Sequence, residues 1–459
     1  RGTLIKINME KKHYERPHIT KLEAGMPGKS GIRTEQAPTT HIDGMAVKEL
    51  ITKYGSPLFV ISENTIRSTY RKAFKAFSTR YPKVQFAWSY KTNYLAAVCN
   101  IFHQEGAWAE VVSGYEYDKA IANGVDPGKI IFNGPGKSRE ELILATEKGS
   151  LIHIDHLDEL YLLIEVAETT TQKPRVAIRV NMDTGIYPMW DRFGFNYENG
   201  QAWDALNKIM HSGKLELMGL HTHIGTFIMT ATAYAIAATK LADLARSLQQ
   251  KFNHQLKYID IGGGFASKNT LKGSYLPGSD TNPSFDEYAE AISSALINSH
   301  FSPGELPLLI LETGRALIDE AGFIISSVIA NKRLSSGRRA TIIDAGVNLL
   351  FTAFWYQHPV TVAQGVSQHR EDTTLYGPLC MNIDCVRESV NLPMLNINDQ
   401  VVIHHTGAYN VTQWMQFITL RPNVVLIGEN GNAHLIREHE TLETVTGSEK
   451  IPEHLIKLR

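Results

Sequence analysis

From residue 80 to residue 315 the chain repeats one alternation. A run of apolar, β-branched residues is followed by a run with apolar residues every three or four positions. The first kind comprises "VQFAWSYK" (84–91), "GAWAEVVS" (106–113), "KIIFNGP" (129–135), "SLIHIDH" (150–156), "RVAIRVNMD" (175–183), "LELMGLHTHIG" (215–225), "KYIDIGGG" (257–264) and "PLLILETGR" (307–315). Among the second kind, "SREELILATEKG" (138–149) opens on a Ser-x-x-Glu capping box and closes on Gly. "LDELYLLIEVAE" (157–168), "AYAIAATKLADLARSLQQ" (233–250) and "FDEYAEAISSALINS" (285–299) read as helices too, and "SENTIRSTYRKAF" (62–74) reads as one before the first strand. Eight strands alternating with helices is the count of a (β/α)8 TIM barrel. An open doubly wound sheet uses the same alternation and is the alternative.

After residue 318 the texture changes. Short β-type runs follow with turn residues between them: "GFIISSVIA", "RATIIDAG", "PVTVAQ", "DQVVIHHTGAY", "NVVLIGENG" and "AHLIREHETLETV". Helical patterns nearly vanish, so an all-β domain is expected over 319–459. "SPLFVI" (56–61) is a candidate extra strand for it, within an N-terminal segment 41–61. The barrel is then 62–318, and 1–40, rich in Pro, Gly and Lys, reads as an irregular arm.

The 459 residues exceed one compact core, which suits two domains. A net charge of −1 gives no sign of a nucleic-acid or membrane partner. No apolar run is long enough to span a bilayer, and the first residues lack the apolar centre of a secretory signal. With no initiator Met they look like a cloning remnant. Cys99, Cys380 and Cys385 make no disulfide framework, and a cytoplasmic protein with reduced thiols is the expectation. "GPGKS" (134–138) and "MPGKS" (26–30) look like pieces of a phosphate-binding P-loop. That motif needs a Gly where Ile131 and Glu23 stand, so both read as turns.

Chemistry in such a barrel sits at the C-terminal strand ends. There the chain places Lys91, His223 with Gly225, the run Gly262, Gly263 and Gly264, then Glu312, Gly314 and Arg315. An amine forms a Schiff base with an aldehyde. Adjacent glycines let backbone N–H groups approach a phosphate, and an arginine grips it through two parallel bonds. A carboxylate facing a pyridine nitrogen keeps it protonated, and an imidazole lies flat on the ring. Together these needs describe pyridoxal 5′-phosphate. Taken singly each is ordinary: a lysine after a strand is a solvated charge, a Gly run is a turn, and His221 or His223 is a core histidine or a metal ligand.

At these residues the chain resembles the fold-type III pyridoxal-phosphate decarboxylases, the family of diaminopimelate, ornithine and arginine decarboxylases. "WSYKTN", "EVVSGYE", "DRFGF", "GLHTHIG", "IDIGGGF", "LETGR", "YGPLCMNID" and "TGAYN" occur in that family's order. The resemblance runs from about residue 41 to about residue 431 and is closest to the diaminopimelate branch. It implies an alanine racemase-like barrel with a C-terminal β domain, working as a homodimer with the active site at the subunit interface. Lys91 would carry the cofactor, His223 would stack on its ring and Glu312 would pair with its nitrogen. Gly225, Thr226, Gly262 to Gly264, Gly314, Arg315 and Tyr409 would hold the phosphate. Cys380 would reach in from the second subunit as the acid that reprotonates Cα, and Cys385 would be a packed thiol. No metal is implied. The implied reaction is decarboxylation of an amino acid at Cα, with meso-diaminopimelate to L-lysine, a step of lysine biosynthesis, as the leading named case.

Departures concern the substrate's far end. Family members carry an acid after the Cys, where this chain has Met381 and Asn382. Diaminopimelate enzymes carry an Arg where it has Thr352, followed by Tyr356. Trp355, Tyr356, Met381 and Trp414 would suit a less charged pocket or would simply pack. A buried ammonium left unpaired is costly, so a modified or conjugated amino acid is an alternative substrate. An amino-acid racemase, a non-catalytic relative that binds partners, and a metal-dependent barrel hydrolase using His221 and His223 are further readings. Glu312 opposes the first, because a racemase normally places Arg at the ring nitrogen. Lys91 and Cys380 oppose the second, and the glycine run opposes the third.

Overall fold

The computed structural model of the chain describes residues 37–302, 304–365 and 369–456. The expected arm over 1–40 and the "MPGKS" turn therefore lie almost wholly outside the described residues.

All eight expected barrel strands form: β1 (Val84–Ser89), β2 (Trp108–Val111), β3 (Ile130–Phe132), β4 (Leu151–Ile154), β5 (Arg175–Asn181), β6 (Glu216–His221), β7 (Tyr258–Asp260) and β8 (Leu308–Leu311). Each pairs in parallel with the next, and β8 pairs in parallel with β1, so the sheet closes. An open doubly wound sheet is thereby excluded. Helices cover the outside as the periodicity predicts, including Arg139–Glu147 with its capping box from Ser138 and Glu141. Ala96–Gln104, Gly114–Ala122 and Gln201–Ser212 are helices the sequence reading passed over. The helix Glu63–Ser78, which precedes β1, packs against both Phe285–Ile297 and Ala96–Gln104. It fills the place of the helix that β8 does not supply.

Side chains alternate along a strand, so every second residue enters the barrel. Ala87, Ile131, Leu151, Ala177, Met218, Tyr258 and Ile310 form one buried interior cluster. Two residues further along the same strands stand Ser89, Asn133, His153, Arg179, Asp260 and Glu312. An apolar layer thus floors a polar one at the C-terminal mouth. The register of β6 against β5 shifts between Leu217 and Gly219. That irregularity breaks the alternation, so both Met218 and His221 enter the interior.

The second sheet is built on Gly322–Arg333, twelve residues long. It pairs antiparallel with Arg339–Ile343, Gln400–His404 and Leu58–Ser62. Leu58–Ser62 pairs in parallel with Val424–Ile427 on its other side, so the expected upstream strand is central. Arg370–Tyr376 and Cys385–Pro393 extend the sheet beyond the runs that the sequence displayed.

Candidate active site

Lys91 lies two residues beyond β1, in the 3-10 turn Tyr90–Thr92. Its neighbours are pinned. The Trp88 indole donates to Asn93 O at 3.2 Å, the Asn93 amide donates to Gly407 O at 3.2 Å, and the Tyr409 N–H donates to Thr92 O at 2.9 Å. The Lys91 side chain, 36 % exposed, points into the barrel mouth, where Nζ donates to Glu110 Oε2 at 2.7 Å and to Ser89 Oγ at 2.8 Å. Burial works against the ammonium, but the Glu110 carboxylate, helped by Tyr409 and Glu312, outweighs it and raises the amine above the ordinary lysine range.

Glu110 is buried on β2, directly in register with Ser89. Burial pushes its pKa up; the charge of Lys91 and hydrogen bonds from Lys91, Ser89 and Asn133 more than offset that and hold it low. One nitrogen, Asn133 Nδ2, donates to Glu110 Oε1 at 3.0 Å and to Glu312 Oε1 at 2.7 Å. Glu312, just past β8, is pushed well above the carboxylate range by burial and then by Asp260 and Glu110. Burial likewise raises Asp260, to about 7, against the hydrogen bonds it shares with Glu312 and with the Gly262 N–H.

The other side of the mouth carries the glycine run and Arg315. Gly262 and Gly264 have φ of +71° and +92°, where side chains are strained, and a Cβ would lie 2.4 Å from Thr222 O or 2.1 Å from Gly225 O. A Cβ on Gly263 would come within 2.6 Å of Glu312 O. The Arg315 guanidinium sits 4.6 Å from the Tyr409 ring centre, 5.2 Å from Tyr356 and 5.8 Å from Phe227. Its Nη2 donates to Thr226 Oγ1 at 3.3 Å, while Nη1 is buried without a partner. Close by, a Cβ on Gly314 would meet Thr92 Oγ1 at 2.1 Å.

His221 and His223 part company because β6 ends at His221. The His223 ring lies on Trp190, centroids 5.5 Å apart and planes 17° apart, and its Nδ1 accepts the Gly225 N–H at 3.4 Å. Burial, then the charges of Arg179 and Lys91, keep it neutral. His221 joins His153, Asp260 and Glu312 in a buried group.

Lys91, His223, Gly225, Thr226, the three glycines, Glu312, Gly314, Arg315 and Tyr409 therefore gather at one end of the barrel. Cys380, Met381 and Asn382 do not join them within this chain. Among the described residues no hydrogen bond links these three side chains to the group around Lys91. They lie on a turn held by the buried Asp384, which accepts from Val347 N at 2.8 Å and Leu379 N at 2.7 Å. Cys380 is exposed there. Thr352 is fully buried, its Oγ1 bonded to His358 Nε2 at 2.8 Å and Asn410 Oδ1 at 2.9 Å. Trp355 is 47 % exposed, whereas Trp414 packs edge-on against Phe59 at 5.7 Å between Arg421 and Arg437. The "GPGKS" segment is a turn: Lys137 Nζ is buried on Gly134 O at 2.6 Å, Glu159 Oε1 at 2.7 Å and His153 O at 2.9 Å.

Glu110, Asn133, His153, Arg179 and Asp260 escaped the sequence reading. Each continues the inward-facing alternation of a barrel strand, Asn133 one residue past β3, so counting by two from the apolar layer would have found them. Glu110 and Asp260 also stood inside "EVVSGYE" and "IDIGGGF".

The family profile described as "Pyridoxal-dependent decarboxylase, pyridoxal binding domain" matches residues 67–319. The chain is 29 % identical over 428 residues to the diaminopimelate decarboxylase of Methanothermobacter thermautotrophicus, covering 91 % of this chain and 96 % of that one. It is 28 % identical over 429 residues to the diaminopimelate decarboxylase of Bacillus subtilis, covering 90 % and 95 %. The crystal structure of diaminopimelate decarboxylase from M. jannaschii superposes with a TM-score of 0.83 at 28 % identity, covering 91 % of this chain and 97 % of that one. The residues fit pyridoxal phosphate: the unpartnered Arg315 Nη1 and the backbone cradle of Gly262 to Gly264 call for an anion, and Lys91 supplies an amine in reach of the same mouth. Barrel, site and sequence agree, and the chain belongs to the pyridoxal-dependent decarboxylases, enzymes whose cofactor is pyridoxal 5′-phosphate.

Proposed function

We propose that the protein removes the α-carboxylate of a small amino acid, and that Lys91, Glu312 and Arg315 are the three anchors of its cofactor. The observation that carries this reading is the mouth itself. One amine open to the cavity is tied to a buried carboxylate pair, and a half-satisfied guanidinium stands beside a glycine cradle. When bound, pyridoxal phosphate supplies an aldehyde that condenses with amines and a ring that accepts the electron pair left by departing carbon dioxide.

The chain's residues do the rest. Lys91 would hold the cofactor through its amine, and Glu110 Oε2, which accepts from Nζ at 2.7 Å, would orient that amine. Glu312 holds the proton on the ring nitrogen. His223, neutral and backed by Trp190, gives a flat face for the ring. Arg315, Thr226, Gly225, Gly314, the Gly262–Gly264 backbone and Tyr409 bind the phosphate oxygens. Cys380, exposed on its own chain, would serve a second copy, where it would return a proton to Cα. A cytoplasmic homodimer fits this division of labour, with the barrel assigned to 62–318 and the β domain to 41–61 and 319–459.

The similarity to diaminopimelate decarboxylases makes meso-diaminopimelate the first substrate to try, with lysine as product and lysine biosynthesis as the setting. The second reading, a substrate with a modified or conjugated far end, rests on Thr352, Tyr356, Met381 and Asn382. Thr352 is spent on His358 and Asn410, and neither Met381 nor Asn382 carries charge. The test is carbon dioxide release from meso-diaminopimelate by the protein loaded with pyridoxal phosphate. Release with equimolar lysine supports the first substrate. Cofactor binding without release moves the search to amino acids whose far end is acylated or conjugated.

A further inference from the structure

Beneath the candidate cofactor site, four strands bring His153, His221, Asp260 and Glu312 together, with one donor atom of each within 4.8 Å of all the others. All four are buried. His221 Nδ1 lies 3.4 Å from Asp260 Oδ1 and 3.9 Å from Glu312 Oε1; His153 Nδ1 lies 3.9 Å from the same Glu312 oxygen. Both Nδ1 atoms lack a hydrogen-bond partner, as does Asp260 Oδ2. The two imidazoles are 4.7 Å apart, and His153 Nε2 is 2.9 Å from the Tyr258 hydroxyl. The other charged groups facing the cluster are Lys91, Glu110, Arg179 and Lys137.

Building on the cofactor placement proposed above, we infer that His153 and His221 are positioning residues: as neutral imidazoles with the proton on Nδ1, they turn N–H groups toward the Asp260–Glu312 carboxyl pair, His221 nearer Asp260 and His153 toward Glu312, and so help keep Glu312 a carboxylate under the ring nitrogen. A lone pair on either Nδ1 would face a carboxylate oxygen and repel it. The Tyr258 hydroxyl lies 2.9 Å from His153 Nε2, and with the ring proton on Nδ1 it is the donor in that contact. Neutral donors suit the task. They favour the anionic form of Glu312 without placing a cation beside a protonated ring nitrogen. Burial, reinforced by neighbouring positive groups, keeps both rings uncharged. Glu312 needs this help, because its burial beside Asp260 and Glu110 favours its protonated form, and a protonated carboxyl gives the ring proton no anion to rest against.

The experiment uses full-length protein loaded with pyridoxal phosphate carrying 15N at the ring nitrogen. Its chemical shift is followed from about pH 6 to about pH 9. The wild type is expected to stay protonated at the ring throughout. His153→Leu is expected to titrate within that window and to lose about tenfold or more in kcat with little change in KM, the equivalent of at least one pK unit. His153→Gln, which restores an N–H donor, should recover the protonated signal. Tyr258→Phe, which removes one hydroxyl, gives a second route to the same loss if His153→Leu does not fold. An unchanged 15N shift in His153→Leu or Tyr258→Phe, with cofactor bound and turnover intact, overturns the inference while leaving the decarboxylase reading standing. One divalent cation per chain in the loaded protein overturns it too, since the four donors would then be ligands. A wild type that binds the cofactor with an unprotonated ring nitrogen sinks the assigned role of Glu312 itself, and this inference with it.

Discussion

Lys91 Nζ donates to Glu110 Oε2 at 2.7 Å, joining the amine at the mouth of the barrel to a carboxylate buried in its second strand. The pair explains how a lysine is kept beside an apolar floor without loss of its charge, and it makes the site's behaviour predictable.

Lys91→Ala removes the amine and leaves the turn around it pinned through Trp88, Asn93 and the Thr92 carbonyl. Turnover is expected to fall at least about a thousandfold, with the visible absorbance of the bound cofactor lost. Tm should fall near neutral pH, because Glu110 is left buried without Lys91, while the turn itself keeps the Trp88 and Asn93 hydrogen bonds. Full activity in this variant would refute the assignment of Lys91.

Glu110→Gln separates charge from hydrogen bonding. The folded pKa of Lys91 is raised, so its share of stability is whole below the ordinary lysine value and is lost as pH rises through the folded one. Glu110 is depressed, so its share is present above the ordinary glutamate value and is lost as pH falls through the folded one. The gap in Tm between the cofactor-free wild type and the variant should therefore be widest between about pH 4 and about pH 10 and close on either side. Calorimetry across that range checks it; a gap independent of pH would mean the ion pair is not its origin.

Arg315→Ala takes away the half-satisfied guanidinium. A charge-assisted hydrogen bond is worth about 1.5–3 kcal/mol, so the Kd for pyridoxal phosphate should rise roughly 10- to 100-fold. Titrating the cofactor-free variant with pyridoxal phosphate measures this directly. Lys at this position should recover only part of the loss, because it lacks the planar fork.

Trp414→Ala tests packing against a role in the pocket. The indole is held between Phe59, Arg421 and Arg437. Its removal should cost about 3–5 kcal/mol in urea unfolding and leave cofactor affinity unchanged. A weaker KM at unaltered stability would instead place Trp414 at the substrate.

The eight-fold alternation limited the fold to a closed barrel or an open doubly wound sheet, because a strand-helix period is local and survives without knowledge of contacts. The strand ends then named Lys91, Glu312 and Arg315, since the fold puts every strand's C-terminal end on one face. The later strands Arg370–Tyr376 and Cys385–Pro393 were not legible, being polar runs that gain strand character only from their neighbours in the sheet. Likewise, nothing in the local sequence ties Glu110 to Lys91 or joins Asn133 to both carboxylates. The Glu110 links depend on parallel register between strands about 20 residues apart, and the Asn133–Glu312 link spans 179 residues across the barrel mouth. The inward turn of His221 depends on one irregularity in β6, which shifts the alternation by a residue and moves a histidine from the outside of a barrel to its centre. Sequence alone supplied the kinds of group. Closing the sheet decided which of them meet, because only closure sets strands remote in sequence side by side.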